Sequence, residues 1–80
     1  MRNFVVGICS LFENDVRQFA ITAENEYEAV KKGMLEYSGN NVDELFWQSS
    51  PNYPKDYEGL CTVYEEMPFS ILEVKEFLTN

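Results

Sequence analysis

Eighty residues carrying 14 Asp plus Glu against 6 Lys plus Arg, with no histidine, give a formal net charge of −8. A chain of that sign cannot neutralise phosphates along a duplex or attach electrostatically to an anionic bilayer, so direct nucleic-acid binding and polybasic membrane association are ruled out as expectations. An apolar fraction of 45% with 15% aromatics belongs to a folding chain, and the length suits one compact domain over residues 1–80, with a small core and no deep catalytic cleft.

In chain order, Phe4-Val5-Val6-Gly7-Ile8-Cys9 forms a near-continuous apolar run within residues 4–12, and the turn formers Glu13-Asn14-Asp15 follow it. This predicts a buried strand. The run does not read as a signal peptide, because Gly7 and Ser10 interrupt it and no small-x-small cleavage site follows; it is also too short to span a bilayer. Residues 16–22 alternate loosely, with Phe19 and Ile21 on one face, and complete a β-hairpin. Asn25, three residues before Glu28, resembles a capping box and starts a helix there. Ala29, Val30, Gly33, Met34 and Tyr37 make one stripe of a 3.6-residue period that covers the hairpin, and Gly39 ends it. Glu28, Lys32 and Glu36 lie on the other face, with Glu28 and Lys32 in the favourable i, i+4 order.

Asn41 and Glu44 cap a short helical turn through Val42-Asp43-Glu44-Leu45-Phe46-Trp47, a strand being the alternative. Ser49-Ser50-Pro51-Asn52-Tyr53-Pro54 reads as a polar, irregular loop with Tyr53 at its tip. Between Asp56 and Met67, the spacing of Tyr57, Leu60, Cys61, Tyr64 and Met67 predicts a helix, while Gly59, Thr62 and Val63 keep a strand from Leu60 to Glu65 open. Pro68 ends either element. Residues 69–78 read as a closing strand, with Leu72 and Val74 opposite Glu73 and Lys75; a terminal helix on Met67, Ile71, Val74 and Leu78 competes. The element order predicts an α+β fold: a three-stranded antiparallel sheet, built from the hairpin and the C-terminal strand, covered on one face by one or two helices.

The residues for catalysis are missing. The acids fall mostly on predicted solvent faces or in loops, whereas acid–base catalysis needs two carboxylates in unlike environments within a cleft. Cys9 and Cys61 could supply only half a tetrahedral zinc shell, and there is no Asp-x-Asp-x-Asp-Gly calcium loop. The expectation is a non-enzyme without cofactor or metal, with Cys9 and Cys61 as reduced, buried thiols in a cytoplasmic protein.

Charge placement is more informative than its total. Residues 1–39 hold six acids and four bases, a net of −2, and residues 40–80 hold eight acids and two bases, a net of −6. The acids of the second half are interleaved with aromatics. Asp43, Glu44, Trp47, Tyr53, Tyr57, Glu58, Glu65 and Glu66 are therefore the candidate partner-binding residues, with Trp and Tyr as anchors and carboxylates meeting Lys and Arg of a basic protein surface. A solvated acidic surface that only maintains solubility is the plainer reading. Eight charges match about 14 Å of duplex at ~1.7 Å per charge, enough to imitate nucleic acid in a pocket but not along a groove. A structural or assembly subunit that buries its aromatics in a homodimer is the alternative function.

The strand-to-helix passage Ile21-Thr22-Ala23-Glu24-Asn25-Glu26-Tyr27-Glu28-Ala29 resembles one that recurs in small phage and prophage proteins, where a β-hairpin leads into a helix with an acidic cap. Anti-CRISPR proteins and other small inhibitors of host defence are similar in size, acidity and α+β build. The resemblance spans about twenty residues and transfers no individual residue's role. It implies a bacterial cytosol, a protein partner such as a nucleic-acid-handling defence protein, and inhibition rather than catalysis.

Overall fold

The computed structural model describes residues 1–77. Its elements run β1 (Arg2–Ser10), β2 (Asp15–Ala23), α1 (Glu26–Tyr37), α2 (Val42–Gln48), α3 (Tyr57–Glu66) and β3 (Phe69–Phe77). The strands form one antiparallel sheet of order β2-β1-β3, giving the expected α+β fold with the hairpin and closing strand joined through β1. Of the three segments left open between helix and strand, residues 42–48 and 57–66 are helices and residues 69–77 are a strand. Leu78, at the end of the expected closing strand, lies outside the described residues.

Alternation along β1 decides the core. Phe4, Val6 and Ile8 are fully buried on the face that meets the helices, and Ile21 and Ala23 of β2 join them. The intervening Asn3, Val5, Gly7 and Cys9 belong to the opposite face, over which no described helix lies. From α1, Ala29, Val30, Gly33 and Met34 supply the matching buried stripe; from α3, Leu60 and Tyr64 do so. Gly33 permits the close approach of α1 to the sheet, since a Cβ there would sit 2.9 Å from Val6 Cγ1. The backbone of α2 runs close to α1 and not to the sheet, and α2 reaches α3 through the Glu44 side chain.

Local chemistry sets the helix ends. Asn25 Oδ1 accepts from the Glu28 N–H, Asn41 Oδ1 from that of Asp43, and Asp56 Oδ1 from that of Gly59. At the end of α1, Gly39 takes φ +71° and donates to the Glu36 carbonyl while Asn40 donates to that of Leu35, the paired bonds of a Schellman ending. Lys32 bonds the Thr22 carbonyl at 2.8 Å, tying α1 to β2 in addition to its expected place on the outer helix face. Arg2 clips three elements together, bonding Glu76 of β3 and Glu26 of α1 while its guanidinium covers the Phe4 ring. Cys9 and Cys61 are free thiols, as expected, but both are half-buried rather than buried.

Candidate protein-binding surface

The seven residues of α2 have an unusual polarity. At 3.6 residues per turn, Glu44, Trp47 and Gln48 share one side, and Val42, Leu45 and Phe46 the other. An ordinary amphipathic helix would bury the second set. Here the first set faces the body and is half-buried, while Val42 is 76% exposed, Leu45 45% and Phe46 81%. The helix is turned inside out.

A hydrogen-bonded relay fixes that orientation. Gln48 Nε2 donates to the Lys31 carbonyl of α1 at 2.8 Å and to Glu44 Oε1 at 3.0 Å. The same carboxylate oxygen accepts a short bond from the Tyr64 hydroxyl of α3. Tyr64 and Tyr53 hydroxyls lie 2.9 Å apart. Because an ionised carboxylate only accepts, the single Tyr64 proton goes to Glu44, and Tyr53 must be the donor to Tyr64. Burial pushes both phenols well above their ordinary ionisation range, and the bond donated to Glu44 raises Tyr64 further. Trp47 completes the anchor, its ring edge-on to Tyr53 at 5.3 Å with Lys31 Nζ 5.6 Å from the Tyr53 ring centre.

These contacts correct the sequence reading of three candidate residues. Tyr53 is not an exposed loop tip: it is 3% exposed, and its loop is bent inward and tied to α1 by a bond from the Tyr27 hydroxyl to the Pro54 carbonyl. Trp47 is spent on Tyr53, with its indole nitrogen buried and without an acceptor, so it is no free anchor. Glu44 is engaged by Tyr64 and Gln48 and holds α2 in place. Tyr64, interleaved with the acids in the sequence, is a fully buried core residue.

The other candidates do reach solvent. Asp43 is exposed on α2, and Glu58, Glu65 and Glu66 are exposed on α3, where Glu58 and Glu65 share the side away from Leu60 and Tyr64. Tyr57 is 37% exposed at the border of that side. The Glu44–Tyr64 bond joins α2 to α3 through their inward sides, leaving the apolar face of α2 and the carboxylates of α3 each turned to solvent. The residues that sequence reasoning missed are Val42, Leu45 and Phe46. Their signal was present: a seven-residue helix with Val42, Leu45 and Phe46 opposite Trp47 must leave one apolar set uncovered.

Little else offers chemistry. Among the described residues no cluster of His, Cys, Asp or Glu could hold a metal ion, and no helix is long and apolar enough to cross a membrane. Burial pushes the Cys61 thiol up, which lowers its thiolate fraction. An open groove of about 360 Å³ beside the start of α1 is lined by Met1, Glu24, Asn25, Glu28 and Lys32; its acids oppose the anion preference of a helix N-terminus. The fold and this surface thus define a small α+β protein with an exposed apolar helix face. No protein family, curated protein or solved structure matches the chain.

Proposed function

We propose that this protein is a non-enzymatic protein-binding inhibitor that seats the outward face of α2 in an apolar depression on a partner whose rim is rich in Lys and Arg. The observation that carries the reading is the inversion of α2: Phe46, Val42 and Leu45 face solvent while the polar side of the helix is turned to the body. Fully burying a Phe side chain contributes about 1.5–3 kcal/mol, so Phe46 is a binding anchor that folding leaves unused. Asp43 stands beside it, and the exposed Glu58, Glu65 and Glu66 of α3 add to the negative field of the molecule, which favours a basic partner and repels an acidic one. A basic pocket that handles nucleic acid is the target class this charge suits, in keeping with the resemblance to phage-encoded inhibitors of host defence.

Paired affinity capture from a bacterial lysate tests the proposal. Wild-type protein should retain a Lys- and Arg-rich protein that Phe46→Asp loses and that Glu58→Lys/Glu65→Lys retains less well at low salt. Identical retained sets for all three baits would overturn it.

A further inference from the structure

The sheet has two edges, and they are built differently. β3 is blunted: the register slips between Gly7 and Ile8 of β1, leaving Leu72 as an extra residue, and Glu73, Lys75 and Glu76 follow. A bulge with charges is how natural sheets discourage pairing at an edge. β2 carries neither bulge nor proline along its nine residues, and Val16–Gln18 are exposed.

The hydrogen-bond parity of β2 follows from two contacts at opposite corners. Leu11 N–H donates to the Pro68 carbonyl, so odd-numbered β1 residues bond toward β3 and even-numbered ones toward β2. In the β1–β2 register the odd β1 residues face Val16, Gln18, Ala20 and Thr22. These four therefore aim N–H and C=O away from the sheet. The Thr22 carbonyl agrees, since it is met by Lys32 Nζ from outside the ladder. Lys32 thereby closes one end of the edge. Val16, Gln18 and Ala20 keep six outward groups with no backbone partner among the described residues.

That vacant window is symmetric about Gln18, and we propose that β2 pairs antiparallel with β2 of a second copy across a twofold axis at Gln18, making one six-stranded sheet. Val16 then faces Ala20 of the other copy, Gln18 faces its counterpart, and all six vacant groups bond reciprocally. The charges permit this occupant. Residues 16–23 contain no acid, so two chains of net −8 meet along a stretch whose single charge is Arg17. In this register Arg17 faces Phe19 of the other copy, and its guanidinium already lies 5.8 Å from its own Phe19 ring. The opposite, bulged edge offers no such match. This pairing leaves the outward face of α2 free and stands independently of the reading given to that face.

Sedimentation velocity and site-directed cross-linking test it. The chain should move from its 9.3 kDa mass toward twice that value as concentration rises. Gln18→Pro should hold it at the monomer mass while the helical circular dichroism is kept, because the lost N–H points out of the sheet. If that variant does not fold, cysteine variants carry the test. Hydrogen-bonded partners have Cα atoms about 5.5 Å apart, within disulfide reach, so in a Cys9→Ser/Cys61→Ser background Gln18→Cys should oxidise to a covalent dimer. Thr22→Cys, about 26 Å from its counterpart at ~3.3 Å per residue, should not. A monomer at every concentration, or equal cross-linking at both positions, would overturn the proposal.

Discussion

Replacing Tyr64 with Phe should cost far more than replacing Tyr53, although both lie in the core and their hydroxyls touch. Tyr64 donates to the Glu44 carboxylate and accepts from Tyr53, so Tyr64→Phe loses a charge-assisted bond worth about 1.5–3 kcal/mol and strands the buried Tyr53 hydroxyl at about 1–3 kcal/mol. Glu44 is half-buried and regains water, which discounts the first figure. The expected loss is about 2–4 kcal/mol, a large share of the roughly 4–12 kcal/mol that stabilises a domain of this length. Tyr53→Phe removes one neutral bond and leaves Tyr64 satisfied by Glu44, so it should cost about 1 kcal/mol. The double variant relieves the stranded hydroxyl and should be less destabilised than the sum of the singles. Urea unfolding of the four proteins measures all three quantities. A larger loss for Tyr53→Phe, or strict additivity, would refute the direction assigned to the relay.

Other outcomes follow from the same contacts. Tyr53 and Tyr64 are held above their ordinary ionisation range when folded, so the unfolded chain releases their protons first as pH rises; their contribution to stability should be constant below about pH 10 and fall above it. In a phenolate absorbance titration these two should ionise only with unfolding, and early, reversible titration of all five tyrosines would contradict this. Gly33→Ala should destabilise by about 1 kcal/mol in thermal unfolding despite better helix propensity, because its Cβ meets buried Val6 at 2.9 Å and overpacking outweighs the gain. Phe46→Asp should leave urea stability within about 0.5 kcal/mol, since the side chain contributes nothing to the core.

The sequence was most legible where local chemistry decides. The apolar run of β1, the Asn25 cap and the Gly39 ending carry their own stereochemical reasons, and each occurs where expected. Residues 57–66 were ambiguous because Thr62 and Val63 favour a strand, and the Asp56 cap together with burial of Leu60 and Tyr64 settles them as a helix. Tyr53 was misread for a different reason. Its neighbours Asn52, Pro51 and Pro54 are loop residues, and contacts with Trp47 and Tyr64, together with the Tyr27 bond to Pro54, draw it inward. The candidate surface suffered likewise: which side of α2 faces the body depends on Gln48 reaching Lys31 and on Glu44 reaching Tyr64, partners remote in sequence.

The most direct measurement is an amide chemical-shift titration of the isotope-labelled protein with the partner recovered by capture. Binding through the inverted helix predicts perturbations concentrated on Val42–Phe46. Perturbations confined to the sheet, with α2 silent, would contradict it.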